Sequence, residues 1–416
     1  VRARRAGADH HGIVPRAQTG RERMDQQLMA AWREWGEAPA ADRHGALDVY
    51  GLQALAFRSM LEGGDVLMVR RWLDEPTMRR LGLSIPLQLE LIEAEQLGYW
   101  REDVATDAGG RIVQGVETDA QGHRVAYHLA PRHPADELMP TTTTVRVPAE
   151  DVIHLYRPTR PGQARGVPEL HAVAARLRTL GDYEEALLFR AKIEACLAAF
   201  VHTDTDAAGS PLGAQQTAND GALLEEFAPG MITRLKPGEN VTVAEPNGSG
   251  AHADYARALL QAIAVGSGIT YDQLTGDLRQ ANYSSLRAGK IEARRVIEAD
   301  QWQLLIPRLC EPLWRWFVEA GEVAGRWGDS ARRPATWTPP RHEPIDPLKD
   351  AQGDREALAA GLETWPQAVA ARGYDPEQQL AELERWRERL AALGLWPADD
   401  ATGAAADPSD GDVSDE

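Results

Sequence analysis

The 416-residue chain reads as an α+β protein that is mainly helical. Three observations carry that expectation. After residue 169 long stretches place apolar residues at intervals of three and four, the period of a half-buried helix. The first 167 residues instead mix short helical stretches with period-two runs bounded by Gly, Asp and Pro. A composition that is 43% hydrophobic over this length allows two or three cores.

In chain order, residues 1–24 form an irregular polar lead-in rich in Arg, His and Gly. A helix over 24–37 follows, with Met24, Leu28, Ala31 and Trp35 stepping round one face, and a second over 47–62 turns Leu52, Leu55, Ala56 and Met60 inward. Residues 65–72 and 87–92 read as strands, and shorter strands fit 112–116, 125–129 and 145–147. His154, flanked by Ile153 and Leu155, reads as a satisfied strand histidine rather than a catalytic base. Arg160 and Arg165 lie in a Pro- and Gly-punctuated elbow and read as surface-paired cations.

Residues 169–200 carry the longest helical pattern, with Leu170, Val173, Leu177, Leu180, Leu187, Ala191 and Ala195 near one stripe. Such a helix would be roughly 45 Å long. Periodicity then disappears over 201–222, and 231–245 reads as two short strands around Pro237-Gly238; composition alone does not reject a disordered insertion here. A helix over 251–265 carries Tyr255, Leu259, Leu260 and Ile263 and stops at Gly266 and Gly268. The next helix starts at Ser284 or Ser285, either of which can cap it.

Between these two helices lie Tyr271, Thr275, Gly276, Asp277, Arg279, Gln280, Asn282 and Tyr283, too polar for a core and too long for a tight turn. Loops of this length between long helices are functional or mobile connectors, and spacing alone favours the connector. Farther on, 291–317 carries Ile297, Trp302, Leu305, Ile306, Leu309, Leu313 and Trp316. That stripe reads as core, and Pro307 and Pro312 should kink or break the helix. Residues 332–347 are extended and Pro-rich. Two or three helices fill 348–394, with breaks near 361–366 and 373–376. The last eighteen residues, from Asp399, hold seven acids and no base and read as a disordered tail.

The chemistry is defined largely by what is missing from the sequence. There is no phosphate-binding Gly-rich loop ending in Lys-Ser/Thr, no dinucleotide fingerprint, no His-Glu-x-x-His, no Cys-x-x-Cys and no Gly-x-Ser-x-Gly elbow. No catalytic, cofactor-binding or metal-ligating residue is therefore predicted, and no cofactor. Cys196 and Cys310 each sit in an amphipathic pattern and read as buried apolar thiols. The net charge of -18 argues against a tight duplex-DNA clamp, which needs clustered cations to displace phosphate counterions. No apolar run reaches membrane-spanning length. Plentiful carboxylates leave a metal-dependent DNA-processing enzyme as the alternative.

Several stretches, taken in order, resemble the lambda-type family of tailed-bacteriophage portal proteins. They are Trp35 with Ala41-Asp42-Arg43-His44-Gly45, Gly63-Gly64-Asp65-Val66, Val147-Pro148-Ala149-Glu150-Asp151-Val152-Ile153-His154 and Arg160-Pro161-Gly162-Gln163-Ala164-Arg165-Gly166-Val167-Pro168. Then come Asp182-Tyr183-Glu184-Glu185-Ala186, Leu274-Thr275-Gly276-Asp277, Asn282-Tyr283-Ser284-Ser285-Leu286-Arg287-Ala288-Gly289 and Asp346-Pro347-Leu348-Lys349. Together they span about residues 25–395. The family normally has a further stretch before Gly12-Ile13-Val14-Pro15, so by resemblance this chain is expected to be shortened there.

The resemblance implies a non-enzymatic ring of on the order of twelve subunits at one capsid vertex, through which double-stranded DNA enters and leaves. It implies a wing at 1–167, a first stem helix at 168–200, a clip at 201–250 and a second stem helix at 251–269. A tunnel loop at 270–284, a crown helix at 285–330, a C-terminal helical crown at 331–398 and the acidic tail at 399–416 complete the assignment. The implied DNA-channel residues are Asp277, Arg279, Gln280, Asn282 and Tyr283, with Arg279, Gln280 and Asn282 touching phosphate and Tyr283 packed at the helix base. The implied partners are further copies of the chain, the terminase large subunit, head-completion or adaptor proteins, the major capsid protein and scaffold, and no membrane. The implied location is the virion vertex, with the bacterial cytoplasm before assembly. A monomeric phage scaffold or adaptor is the other alternative.

Overall fold

The computed structural model describes residues 12–98, 104–106, 109–136, 143–195, 252–279, 283–328, 333–340, 346–374 and 376–394, with four strands between 199 and 243. The chain opens with strand β1 (Val14–Ala17), then α1 (Glu22–Gly36), α2 (Val49–Gly63), β2 (Asp65–Trp72), α3 (Glu75–Leu81) and β3 (Leu87–Glu93). Six strands follow: β4 (Val104–Ala105), β5 (Arg111–Val113), β6 (Val116–Thr118), β7 (Arg124–Leu129), β8 (Val145–Pro148) and β9 (Val152–Tyr156). Next come α4 (Ala174–Ala195), β10 (Ala199–Thr203), β11 (Gln216–Thr217), β12 (Leu223–Leu224) and β13 (Glu239–Val243). Then follow α5 (His252–Gly266), α6 (Tyr271–Thr275), α7 (Tyr283–Asp300), a π-helical segment (Gln301–Cys310), α8 (Glu311–Val323), β14 (Ala335–Thr338), α9 (Pro347–Ala359), α10 (Trp365–Ala371) and α11 (Pro376–Ala392). Two compact units result, Val1–Pro168 with Lys290–Glu416, and Glu169–Gly289.

The first unit is organised on β2, which pairs antiparallel with β3 on one side and β9 on the other. Successive side chains of a strand point to opposite faces, and here both faces are covered. Val66 and Met68 join a core with α1, α2 and α8, while Leu67 and Val69 join a second cluster with Ile92 of β3 and with Val116, Tyr127, Leu129 and Val147 of the five-stranded meander β4–β8. Asp48 caps α2 by accepting from the Gly51 N–H at 2.6 Å, and Leu52, Ala56 and Met60 turn inward as expected; Leu55 instead stays exposed.

An aromatic knot fills the larger core. The Phe317 ring lies 5.0 Å from that of Trp32, 5.3 Å from Trp314 and 5.5 Å from both Trp35 and Trp327. Each indole N–H of the knot finds an oxygen: Trp32 the Tyr50 hydroxyl, Trp35 the Leu87 carbonyl, Trp314 the Arg333 carbonyl and Trp327 the Val318 carbonyl. Burial pushes the Tyr50 phenol up to about 12. The Trp stripe is core as its spacing predicts, except Trp302 and Ile297, which face solvent in the single chain.

Several expectations are corrected here. The lead-in contains β1, which pairs antiparallel with β14 and carries Ala17 into the core. Residues 112–116 are a hairpin rather than one strand. Gln114 at φ 50 and Gly115 at φ 83 turn the chain between β5 and β6, and Gln-Gly is a weaker turn signal than Asn-Gly. Helix α3, capped by Asp74, was not legible because its seven residues bury no side chain. Pro307 and Pro312 do not break the helix. Around Pro307 the turns widen to the i→i−5 register, so that Glu311 N–H reaches Ile306 O, and the helix runs on through Pro312, the second residue of α8. Cys310 is buried as predicted, and burial pushes its thiol pKa up; Cys196 lies outside the described residues.

In the second unit α4 ends at Ala195, a helix of roughly 33 Å rather than 45 Å. Residues 199–203 pair as a strand with 239–243 instead of extending the helix, because Phe200, Val201 and Thr203 favour the pleated form. Helices α4 and α5 are joined by a polar lock: His252 contacts the Tyr183 hydroxyl at 2.8 Å through Nδ1 and Arg190 at 3.0 Å through Nε2. At the other end Gly266 meets Val173 so closely that a Cβ would sit 2.4 Å from its Cγ1. Of the predicted α4 stripe, Val173 is buried and Leu180 and Leu187 are half-buried, while Leu170 and Leu177 are exposed; Leu188 and Phe189, off the stripe, are exposed as well. Residues 231–238, which hold the predicted Pro237-Gly238 turn, and the acidic tail lie outside the described residues. Residues 348–394 form three helices with breaks near the positions read from sequence.

Candidate functional site

The loop between α5 and α7 is built from local rules. Helix α5 is closed by Gly268 at φ 68, with the Ile269 N–H returning to the Ala264 carbonyl at 3.0 Å. Thr270 then starts α6 through a reciprocal capping box: its hydroxyl accepts from the Gln273 N–H at 3.4 Å, and the Gln273 side chain accepts from the Thr270 N–H at 3.0 Å. Gly276, left-handed at φ 69, ends the turn. The stretch expected to be irregular thus contains a one-turn helix. The Thr270-x-x-Gln273 spacing followed by Gly276 was the signal for it.

Immediately after Gly276 the chain folds around one carboxylate. Asp277 Oδ1 accepts from the Arg279 backbone N–H at 3.1 Å and from Arg279 Nε at 2.9 Å, while Oδ2 accepts from Nη2 at 2.9 Å. Arg257 of α5 lies 3.9 Å from the same carboxylate. The Asp277 side chain is 15% exposed and that of Arg279 83%. Hydrogen bonds from Arg279 hold the Asp277 carboxyl down to about 2, and the same pairing raises the guanidinium. Of the five site residues read from sequence, the structure therefore joins Asp277 to Arg279. Gln280, Asn282 and the side chain of Tyr283 lie outside the described residues. Tyr283 already belongs to α7, so neither Ser284 nor Ser285 is its N-cap.

A second constellation lies in the first unit, at the elbow after β9. Asp65, 1% exposed, accepts from Arg165 Nε at 2.5 Å, Arg165 Nη2 at 3.0 Å, the Gly166 N–H at 3.0 Å and His154 Nε2 at 3.2 Å. Arg124 donates to His154 Nδ1 at 3.0 Å, which fixes the proton on Nε2, and also reaches the Gln163 and Ala164 carbonyls. Burial alone would push Asp65 up. The hydrogen bonds from His154 and Arg165 overcome it and hold the carboxyl well below the usual range. Burial lowers His154, partly offset by Asp65. His154 is the satisfied strand histidine the sequence suggested, but Arg165 is not surface-paired: its partner is the buried Asp65, one hundred residues away in sequence. Arg160 makes no ion pair among the described residues. Gly166 is required here, since a Cβ would lie 1.8 Å from the Gly64 carbonyl oxygen.

The one carboxylate and histidine trio with metal-like spacing among the described residues is Glu93, Glu95 and His133. His133 Nδ1 accepts the Ala135 N–H at 3.1 Å, while Nε2 lies 3.2 Å from the Glu93 carboxylate without a hydrogen bond to it. A groove of about 500 Å³ beside β9 and α8, lined by Arg70, Arg308, Arg315, Trp316 and Glu319, gathers charge without a nucleophile and base in contact. No described helix is long and apolar enough to cross a membrane.

Comparison with known proteins fixes the class. The family described as phage portal protein, lambda family, matches residues 7–301, and the chain belongs to that family. Its class is thus the structural head–tail connector of phage particles. Over 412 residues it is 26% identical to the probable portal protein of Halomonas phage phiHAP-1, covering 92% of this chain and 76% of that one. It is also 26% identical over 280 residues to the portal protein of Escherichia phage N15 and to portal protein B of Escherichia phage lambda, covering 59% of this chain. The chain spans about half the length of those two relatives, 52% and 51%. Among solved structures, a chain in the neck of a native gene transfer agent particle is 13% identical with a TM-score of 0.46, covering 83% of this chain and 89% of that one. A chain of the virion of a native gene transfer agent particle is 14% identical with a TM-score of 0.42, covering 92% and 96%.

Proposed function

We propose that this chain assembles with copies of itself into a closed ring at one vertex of a phage head, and that duplex DNA is packaged and ejected through its centre. The observation that carries this reading is the family match; beside it, Leu177, Leu188 and Phe189 of α4 are exposed apolar side chains among the described residues. Exposed apolar side chains on one helix are available for burial in a contact between copies. A heterologous contact that repeats by rotation closes into a ring. In this reading residues 1–167 are the wing, α4 and α5 the stem, 201–250 the clip, 270–284 the tunnel loop, α7 with the following helix the crown helix, and α9–α11 the C-terminal crown. Terminase, head-completion proteins, capsid protein and scaffold dock on the ring, which sits in the virion after assembly in the host cytoplasm. The chain itself performs no catalysis and uses no cofactor.

The charge fits a conduit. A net charge of -18 weakens phosphate binding over most of the surface, so that DNA slides rather than sticks. Arg279, Gln280 and Asn282 supply brief polar contacts from the loop. Combined Arg279→Ala, Gln280→Ala and Asn282→Ala substitution truncates only polar side chains and is expected to leave stability essentially unchanged. In a packaging assay with the cognate head genes, rings should form normally while packaged genome length or retention falls. Normal packaging and retention would make the loop a connector only.

A further inference from the structure

We infer that Asp277 is an affinity-limiting residue: its carboxylate occupies the guanidinium fork of Arg279 and competes with DNA phosphate for it. This rests on the reading of the loop as DNA-facing, and it assigns Asp277 a role opposite to that of a DNA contact.

The geometry is that of a phosphate mimic. A guanidinium grips a carboxylate or a phosphate through two parallel N–H donors. In this chain Nε and Nη2 of Arg279 already point at the two oxygens of Asp277, both at 2.9 Å. The carboxylate is held in place independently of the arginine side chain, because it also accepts the Arg279 backbone N–H at 3.1 Å, and the Asp277 N–H donates to the Thr275 hydroxyl at 3.1 Å. Arg257 supplies a second cation at 3.9 Å. Asp277 is the sheltered member of the pair and Arg279 the exposed one, so the arginine is the part free to swing away.

Two consequences follow from exchange. A passing phosphate must displace Asp277 to engage the fork, so the net gain per contact is the difference between two similar ion pairs. On release the carboxylate recaptures the arginine, which shortens each contact. Because the pair is solvent-exposed at the arginine, exchange carries only a small barrier. With its carboxyl held down to about 2, Asp277 stays ionised at any pH at which a phage assembles, so the competition does not switch off.

Asp277→Asn separates charge from shape. Asparagine keeps an oxygen to accept the Arg279 backbone N–H, and so keeps the turn, while removing the charge that competes for the fork. With the purified full chain and a short labelled duplex of mixed sequence, anisotropy titrations over a salt series should show Asp277→Asn binding roughly threefold to tenfold more tightly at low salt. The log–log salt slope should be steeper by about 0.9 for each arginine released. The gain must vanish in the Asp277→Asn/Arg279→Ala double variant. If the double variant keeps the gain, the effect is one of net charge and the inference is overturned. If Arg279→Ala alone weakens binding but Asp277→Asn binds like the parent, the loop contacts DNA and only the competition is refuted. If Arg279→Ala leaves binding unchanged, the DNA-facing reading fails, and the inference with it.

Discussion

Replacing Asp65 by Asn is expected to unlatch the elbow between β9 and residue 168 without unfolding the sheet that carries it. Three donors, Arg165 Nε, Gly166 N–H and His154 Nε2, converge on Oδ2, while Arg165 Nη2 takes Oδ1. Either orientation of an asparagine amide aims its own N–H at one of these donors, and the charge that strengthened every bond is gone. Hydrogen bonds to a buried charge contribute about 1.5–3 kcal/mol each, and removing one member of a buried pair costs about 3–5 kcal/mol. Arg165 is 16% exposed and can recover some hydration, so about 3 kcal/mol is the appropriate figure. At about 1.4 kcal/mol per tenfold, the opened elbow becomes roughly a hundred times more populated.

Trypsin reads this opening directly. Arg157 and Arg160 are each followed by proline, which blocks cleavage, so the bond after Arg165 is the one susceptible site between 157 and 168. Native-state cleavage there tracks the population of the open form when reclosing is fast. Cleavage after Arg165 should accelerate by roughly two orders of magnitude in Asp65→Asn while cleavage elsewhere in the first unit is unchanged. Equal rates in parent and variant would refute the argument that this carboxylate holds the elbow.

The same network makes the elbow acid-sensitive. Burial keeps the His154 pKa below its ordinary value of about 6.5, so the open elbow takes up a proton that the closed one refuses. Protection of the Gly166 amide, corrected for its intrinsic exchange rate, should be constant above about pH 6.5 and fall below it. A second loss from Asp65 should begin below about pH 4, because its carboxyl is also depressed in the fold. Flat protection from about pH 7 to about pH 5 would contradict this. In the core, Phe317→Ala should destabilise the first unit by about 3–5 kcal/mol by emptying the centre of the aromatic knot, whereas Trp302→Ser, at an exposed position, should stay within about 0.5 kcal/mol in the monomer. Denaturant melts followed by tryptophan fluorescence distinguish the two.

Long amphipathic stretches were legible in the sequence because their period repeats many times. Helices α1, α2 and α5, the strands β2 and β3 and the three C-terminal helices all begin and end within a few residues of where their spacing and Gly or Pro stops place them. What escaped was short or depended on distant partners. Helix α3 buries nothing, β1 needs β14 more than three hundred residues away, and the widened turns at Pro307 follow from packing that no local pattern records. The same division holds at the candidate sites. The polar loop was visible as a break between two helical periods, but the grip of Asp277 on Arg279 depends on a left-handed Gly276 that re-aims the chain. Arg165 read as a surface cation because nothing near it in sequence announces that Asp65 is buried beneath it.

The central claim is that this chain is a ring-forming portal subunit, and native mass spectrometry of the purified chain tests it most directly. The account predicts a closed species of one fixed stoichiometry, near half a megadalton for about twelve copies, that dissociates when Leu188 and Phe189 on α4 are changed to Asp. Monomer alone across the concentration range, or a ladder of open oligomers with no preferred size, would contradict it.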